Sequence, residues 1–286
     1  MILKTTNKEE TIKEETIKES NINLLNTLRE NYPSFLSMLI AIYILSYDNF
    51  LLGICTFIVA IYISYTQHRD SHKFKNIFTI IHHYHHENHD YLSHISQIIL
   101  ELTSLGIFYP LYLVFDTIFL NPWILIFFII FYSSVHNINY SLLRVNNVHY
   151  LHHLCTTTNV GPDICDIIYN TKNPSDITVE NTDHYIPNII IATIIILILQ
   201  YYWKIEDNKQ TMLYIFSTIL LVFLLFLIII SIYLWNEHNK NNKENFKAID
   251  NVNNNVNDNV NDNVNDNVNV NDNVNVNDNV IEKNDI

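Results

Sequence analysis

Histidine is the residue type whose spacing in this 286-residue sequence points to chemistry. Its 14 copies include three clusters, which read His-Arg-Asp-Ser-His over 68–72, His-His-Tyr-His-His over 82–86 and His-Tyr-Leu-His-His over 149–153. We refer to them as boxes 1, 2 and 3. Residues three or four apart on a helix share a face, so each box can aim several imidazoles in one direction. Because neutral imidazole is a common ligand of iron, zinc and copper, the boxes predict metal binding rather than isolated core or surface histidines.

The number of imidazoles in the boxes indicates two metal ions. Eight histidines stand at positions that share a helical face within their box: His68, His72, His82, His85, His86, His149, His152 and His153. A tetrahedral or octahedral ion binds about four to six ligands, which is fewer than these eight. No other catalytic pattern competes, since the sequence contains neither a Gly-x-Ser-x-Gly elbow nor an H-E-x-x-H protease box.

Long apolar runs must position the boxes, and they cover 35–47, 50–65, 95–120, 123–135, 187–203 and 212–235. A full membrane crossing needs about 17–25 residues, so we expect the first two runs, joined by Asp48-Asn49, to form a hairpin that dips into the bilayer. Backbone polar groups in lipid must be satisfied internally, so the runs should be helices. The sequence predicts an all-α integral membrane protein with about four to six membrane helices in hairpins and a histidine-rich di-metal cap.

Composition and charge narrow the function classes. The chain has only 3 glycines and no G-x-G-x-x-G segment, which excludes the common nucleotide-binding loops. A formal net charge of -13 argues against a nucleic-acid partner. If the runs pair as hairpins, the segments 66–94 and 136–186 lie on one face together with both termini. These two segments carry basic residues, whereas the tight turns at 48–49 and 121–122 carry none. The positive-inside rule therefore predicts that the boxes and both termini are cytosolic.

The ordered boxes, with two apolar runs between boxes 2 and 3, resemble the fatty acid hydroxylase superfamily of membrane non-haem di-iron enzymes, which includes sterol desaturases and lipid hydroxylases. The resemblance covers about 35–185. It extends to 159–171, where Asn-Val-Gly-Pro-Asp-Ile-Cys-Asp is followed by Ile-Ile-Tyr-Asn-Thr. Asn170 stands where the family usually has glycine. Because asparagine tolerates left-handed backbone geometry, we expect this turn to be kept.

The resemblance implies that the eight face-sharing histidines of the boxes, all but His83, bind two iron ions, with His136 as a ninth ligand. It implies that Asp166 supports the site, either by holding a ring N–H or by capping a helix. For His184 two interpretations stay open, a residue that supports a ligand from behind or a polar residue at the membrane interface. Three histidines are expected to lie outside the ligand set: His83, His89 and His94.

The activity that the resemblance implies is O2-dependent hydroxylation or desaturation of a lipid C–H bond, on a fatty acyl or sterol-type substrate. Acid–base side chains do not break such bonds, which agrees with chemistry at a redox metal. Electrons would come from a separate membrane donor of the cytochrome b type. The protein would reside in the endoplasmic reticulum or another internal membrane.

The expected domain organisation follows from these segments. A polar N-terminal segment covers 1–31, a fatty acid hydroxylase-like di-iron domain covers 32–186, and a C-terminal membrane hairpin covers 187–236. The remaining Asn/Asp/Val-rich tail, 237–286, repeats Asn-Val-Asn-Asp and can bury little apolar surface. We therefore expect the tail to be disordered.

Two alternatives to the enzyme stay open. A histidine-rich metal-binding or transport membrane protein would use the same ligands, although a transporter is expected to place them near the middle of the membrane, whereas the boxes flank the apolar runs. A non-catalytic membrane scaffold would keep the boxes without a reaction. Glu101 also has two interpretations, because an acid within an apolar run is by default functional but equally can hydrogen-bond across helices.

Overall fold

The computed structural model describes residues 24–88, 90–104, 120–176 and 178–265, and within them every regular element is helical. The ten α-helices of this part of the chain are α1 (Leu24–Glu30), α2 (Tyr32–Leu45), α3 (Phe50–Ser71), α4 (Ile80–Glu87), α5 (Tyr91–Ser104), α6 (Pro122–Ser134), α7 (Val148–Leu154), α8 (Asp163–Tyr169), α9 (Ile186–Lys204) and α10 (Glu206–Asn265). A π-helix, Val135–Leu142, continues α6, and 3-10 turns at Tyr47–Asn49 and Asp183–Tyr185 precede α3 and α9. The predicted all-α class is confirmed for these residues.

Four helical segments of the described chain are long and apolar enough to cross a membrane: Tyr47–Ser71, Pro122–Leu142, Asp183–Lys204 and Gln210–Glu244. Their outward faces are apolar, as in α9, where Ile191 and Ile194 are 58% and 51% exposed. The architecture is therefore that of a membrane protein, and four spans fall within the predicted range. The expectation that both arms of the first hairpin are too short is wrong for the second arm, because α3 continues without a helix breaker to Ser71.

The first hairpin forms as expected, with α2 as its shorter arm. Helices α2 and α3 approach closely where Gly53 of α3 faces Ser46, which directly follows α2. A Cβ atom on Gly53 would lie 2.0 Å from the Ser46 side-chain oxygen, so the close approach requires glycine at this position. Of the third run, 95–120, the structure describes only the part in α5, and residues 105–119 lie outside the described residues.

Helices α3 and α6 lie side by side and run in the same direction. Near their starts the Asn121 amide donates a hydrogen bond of 2.8 Å to the Thr56 hydroxyl. The next residue of α3, Phe57, meets the ring of Phe128 edge-on with centroids 5.6 Å apart, and at the later ends of the two segments His68 and His136 line one cavity. Because both helices advance from these contacts at the same rise per residue, the end of α3 with box 1 and the π-helix after α6 reach the same level.

The chain divides into two compact units, Met1–Trp235 and Asn236–Ile286, and the first contains all three boxes. Within the first unit, Leu227 and Leu234 of α10 are buried against Ile80 and Ile81 of α4. Helix α10 continues to Asn265, so the structure is helical in a part of the chain where the sequence predicts a disordered tail. This stretch contains no glycine or proline that would end a helix. Residues 1–23 and 266–286 lie outside the described residues.

Candidate metal centre

Four helical segments carry the predicted ligands. Box 1 lies at the end of α3, with His72 directly after its last residue, box 2 lies on α4, and box 3 lies on α7. The π-helix presents His136, which is buried. π-Helical turns are rare in proteins overall, and those that occur are often found at functional sites. All nine predicted ligands belong to the described residues, and the structure brings them together in two adjoining groups.

The first set, group A, comprises His68, His72, His82, His86 and His152. One ring nitrogen from each of the first four lies within 4.8 Å of the others. His152 joins them because its Nε2 atom lies 3.1 Å from the Nε2 atoms of both His68 and His72. The Nε2 atoms of His72 and His82 are 3.0 Å apart. Imidazoles from all three boxes therefore meet at one place.

The second set, group B, comprises His85, His136, His149 and His153. Ring nitrogens of His85, His149 and His153 lie within 4.8 Å of one another, and the last two approach to 2.9 Å through their Nε2 atoms. The ring of His136 lies 4.6 Å from that of His149 and 5.6 Å from that of His85. The two groups adjoin, since the rings of His86 and His153 stack with centroids 4.1 Å apart.

Boxes 2 and 3 divide their histidines between the groups by a common rule. In each H-x-x-H-H pattern the first and fifth histidines belong to one group and the fourth belongs to the other. Box 2 gives its pair to group A, whereas box 3 gives its pair to group B. Residues four apart lie almost above one another on a helix, while the fourth residue is turned by about 100° from the fifth. Boxes 2 and 3 therefore each contribute imidazoles to both groups, whereas the sequence predicts that the imidazoles of one box converge on a single point.

The nitrogen spacing in group A fits a bound metal ion. Two ligands at right angles, each with a metal–nitrogen bond of about 2.1 Å, are about 3.0 Å apart. The Nε2 pairs of group A are separated by 3.0–3.1 Å. Hydrogen bonding between imidazoles explains this less well, because the His72 Nε2 atom approaches two other Nε2 atoms and carries at most one proton. In His86 both ring nitrogens are buried without a hydrogen-bond partner among the described residues, and an ion bound by group A would satisfy one of them.

A backbone carbonyl selects the tautomer of His152. The Nδ1 atom of this ring lies 2.8 Å from the carbonyl oxygen of Thr158. A carbonyl oxygen only accepts hydrogen bonds, so Nδ1 carries the proton and Nε2 keeps its lone pair. That lone pair faces the other Nε2 atoms of group A, which is the arrangement that a metal ligand requires.

Burial keeps the imidazoles in the neutral form that binds metal. Outside the membrane-spanning segments, burial lowers the pKa of His72 to about 3 and the pKa of His152 to about 4. It also lowers the pKa values of His82, His86 and His149 well below their usual range. Neighbouring imidazoles add to this effect, because two positive rings side by side would repel. The ligands thus need not lose protons when an ion binds at neutral pH.

Asp166 organises the loop that follows box 3. Its carboxylate accepts hydrogen bonds from the amides of Val160 at 3.0 Å and Gly161 at 3.2 Å, and from the Thr171 hydroxyl at 2.6 Å. Burial raises the pKa of this carboxyl to about 7 although these hydrogen bonds oppose the shift. None of its described partners is an imidazole. Asp166 therefore supports the site through the loop whose backbone holds His152, rather than by holding a ring N–H.

Two backbone positions in this region have special requirements. Asn170 ends α8 with a left-handed conformation, φ 55°, so the turn expected there is confirmed with asparagine in place of glycine. Gly161 lies against Tyr65 of α3, and a Cβ atom on it would lie 2.7 Å from the tyrosine ring. The loop after box 3 is thereby packed directly onto the helix that carries box 1.

His184 is connected to group B through the ring of Tyr140. Its Nδ1 atom accepts a hydrogen bond of 2.9 Å from the Asn139 side chain, and its ring packs edge-on against Tyr140 at 5.6 Å. The Tyr140 ring in turn stacks on that of His149 at 5.8 Å. Of the two interpretations, this contact fits a residue that supports a ligand from behind.

Two further histidines lie close to the groups without belonging to them. The ring of His83, on the outer side of box 2, is 6.3 Å from that of His72. The ring of His94, on α5, is 6.0 Å from that of His85. His89 lies outside the described residues.

Glu101 is a part of the site that the sequence marks only as an acid in an apolar run. It lies on α5 and is 7% exposed. Its carboxylate accepts hydrogen bonds from the Nδ1 atom of His136, from the Asn137 side chain at 2.6 Å and from the Gln97 side chain at 2.8 Å. The position of an acid between box 2 and His136 was the available signal.

Two small cavities with shared lining residues lie beside the groups and among the membrane helices. A space of about 60 Å³ is lined by four of the ligands: His68, His136, His149 and His152. It shares Phe131 and Tyr185 with a second space of about 100 Å³, which lies among α2, α3, α6 and α9 and is lined by apolar side chains such as Phe57 and Ile61. On another side, a polar cavity of about 550 Å³ reaches His68 and His82.

Comparisons with known protein families, with curated proteins and with solved structures give no match for this chain. What the site does must therefore be inferred from its own geometry. That geometry offers nine largely buried imidazoles at two adjoining points, with apolar space on one side and polar space on another.

Proposed function

We propose that this protein is a membrane-bound di-iron oxidoreductase that uses O2 to hydroxylate or desaturate a lipid C–H bond on a fatty acyl or sterol-type substrate. The observation that carries the proposal is the place of groups A and B, four of whose histidines line a small cavity that adjoins an apolar space between membrane helices. Unactivated C–H bonds need redox chemistry at a metal or cofactor, and an apolar cavity suits a lipid chain. The resemblance of the boxes to fatty acid hydroxylases supports the same reaction.

Two iron ions are the cofactor that we propose, with O2 as co-substrate. The donor set supports reactive ions rather than structural zinc, because nine nitrogen ligands exceed the eight that two tetrahedral zinc ions would use. When bound at groups A and B, the irons would supply the oxidation of the C–H bond by O2.

The side chains of the chain itself have three tasks in this proposal. The imidazoles hold the ions, and the Thr158 carbonyl fixes the ring of His152 in the tautomer that coordinates. The apolar residues that line the cavity, among them Phe131 and Val160, orient the lipid and keep water from the reacting carbon. The polar cavity beside His68 offers a separate route for protons and O2.

The cellular setting is part of the same proposal. Electrons would come from a separate membrane donor of the cytochrome b type, which the resemblance implies. The distribution of basic residues supports an orientation with the boxes and both termini in the cytosol. The protein would then reside in the endoplasmic reticulum or another internal membrane and receive lipid from the bilayer.

A metal transporter or a scaffold agrees less well with this arrangement. Boxes 2 and 3 lie on α4 and α7, which have 8 and 7 residues and are not candidate membrane spans. A transporter is expected to hold its cargo on broken helices near the middle of the membrane. A scaffold has no need of nine imidazoles in close contact, since packing alone does not require them.

The test is lipid mass spectrometry on cells that express the wild-type chain, His152→Ala or His83→Ala, each together with a cytochrome b type donor. We expect a lipid that gains one oxygen, or one that loses two hydrogens, with the wild type and with His83→Ala, which lacks a box histidine outside both groups. His152→Ala should show no product and less bound iron. The proposal fails if His152→Ala forms the product at the wild-type level, or if the stably expressed wild type changes no lipid.

A further inference from the structure

Glu101 is a buried acid whose surroundings are unusual for a purely structural residue. Its side chain is 6% exposed, and it lies on α5, where the other buried residues are neutral polar ones: Ser93, Ser96, Gln97 and Thr103. A buried carboxylate is costly unless its charge is compensated. No lysine or arginine of the described residues pairs with it, and its ion-pair partner in this part of the chain is His136. A further source of positive charge is therefore expected close by.

The hydrogen bond to Glu101 determines the state of His136. A carboxylate oxygen accepts, so the Nδ1 atom of His136 donates and carries the proton. The Nε2 atom on the other side of the ring is buried and has no hydrogen-bond partner among the described residues. A second proton there would leave a buried donor unsatisfied, so Nε2 is best described as a lone pair. The ring that carries this Nε2 atom lies 4.6 Å from the ring of His149 and 5.6 Å from the ring of His85, both of group B.

We propose that Glu101 is a positioning residue that holds His136 as the Nε2 ligand of group B, an inference that rests on the two-ion site of the proposed function. A carboxylate that accepts the far N–H of a ligating imidazole fixes its tautomer, orients its ring and makes it a better donor. The divalent ion beyond the ring then supplies the positive charge that the buried carboxylate lacks.

The neighbours of Glu101 hold its two oxygens in place. Gln97, one turn earlier on α5, donates to the oxygen that His136 also contacts. Asn137 donates to the other oxygen at 2.6 Å and to the Ser133 carbonyl at 2.9 Å. The consecutive residues His136 and Asn137 can both reach one carboxylate because they lie on the π-helix, whose wider turn changes the direction of successive side chains.

The test is titration of the purified, metal-free full-length protein with Co²⁺, followed by the visible absorption of the ion. We expect the wild type to bind two Co²⁺. Glu101→Gln keeps the size of the side chain but loses the charge, so one ion should bind as in the wild type and the second about 10–100-fold more weakly. The matched control is Glu87→Gln on α4, where the side chain is 57% exposed and pairs with Lys75, and it should bind both ions normally.

A double variant separates positioning from general stability. If Glu101 acts through His136, then Glu101→Gln combined with His136→Ala binds the second ion no more weakly than His136→Ala alone. Normal binding of both ions by Glu101→Gln would overturn the inference, and so would a further tenfold loss in the double variant. If Glu101→Gln does not fold, Asn137→Ala replaces it, with an expected loss of about two- to fivefold for the second ion and an unchanged affinity as the contrary result.

The same titration distinguishes this inference from the proposed function. A wild type that binds fewer than two Co²⁺ would contradict the two-ion site and Glu101 together. A wild type that binds two ions and oxidises no lipid would contradict only the proposed function. Two bound ions that are insensitive to Glu101 would contradict only the role of Glu101.

Discussion

Groups A and B use the same side chain but are assembled in different ways. Four of the five histidines of group A come from the end of α3 and from α4, two elements that follow each other directly in the chain. Group B draws its four histidines from α4, the π-helix and α7. A backbone carbonyl orients His152 in group A, whereas a buried carboxylate from another helix contacts His136 in group B.

This difference shows how each group is connected to the rest of the molecule. Group A depends mostly on local geometry, because a short loop joins the two segments that supply most of its ligands. Group B depends on the packing of α5 against α6, since Glu101 lies on α5 and contacts His136 on the π-helix that continues α6. Substitutions that disturb the packing of α5 against α6 are therefore expected to affect group B more than group A.

The largest effect is expected when a ligand of one group is removed. His82→Ala for group A and His149→Ala for group B should each bind about one ion rather than two and should each abolish lipid oxidation. Metal analysis of the purified proteins measures the first effect and lipid mass spectrometry the second. His83→Ala is the control for box 2. Loss of both ions from either variant would show that the groups are not separable.

Removal of the metal should loosen α7 more than α4. Helix α4 is held by Ile80 and Ile81 against α10, whereas the one buried residue of α7 is His152. With a chelator, amide hydrogen exchange in α7 should accelerate by about tenfold or more while α4 changes less. Addition of Co²⁺ should restore the slow exchange. Equal acceleration in both helices would mean that packing does not distinguish them.

Filling the apolar cavity should lower activity without a change in either metal group. Ile61→Trp places a large ring in the cavity beside Phe57, and we expect lipid oxidation to fall roughly tenfold. Two bound ions should remain. The control is Ile190→Trp, at a position of α9 that is 52% exposed, and it should retain full activity. A loss of metal in Ile61→Trp would show that the cavity and the groups are not independent.

The smallest effect is expected for Asp166, which acts on group A through the loop after box 3. Asp166→Asn weakens hydrogen bonds to two amides and should lower the free energy of unfolding by about 1–2 kcal/mol. In a His149→Ala background, which leaves group A, Co²⁺ binding should weaken by about two- to fivefold. Asp183→Asn, at an exposed position, is the control. An equal effect on group B, measured in His82→Ala, would contradict the difference between the groups.

Much of the fold and of the site could be predicted from local patterns. The all-α class, the apolar segments and the turn at Asn170 depend on residue types close together in the chain. The eight box histidines that lie in groups A and B could also be named from their helical spacing, which is visible without any tertiary contact, whereas His136 was named only from the resemblance. The apolar run 50–65 underestimates the length of α3, because the polar residues 66–71 continue the helix where no breaker ends it.

The sequence by itself thus determined which side chains gather and that they exceed the capacity of one ion. Only the tertiary structure decided how they divide, because the direction of each imidazole depends on how α4 and α7 are turned towards each other. It also decided the partner of Glu101, which lies 35 residues from His136 in the chain. Helical periodicity is local and can be read from sequence, whereas contacts across the packed helices arise only when the chain folds.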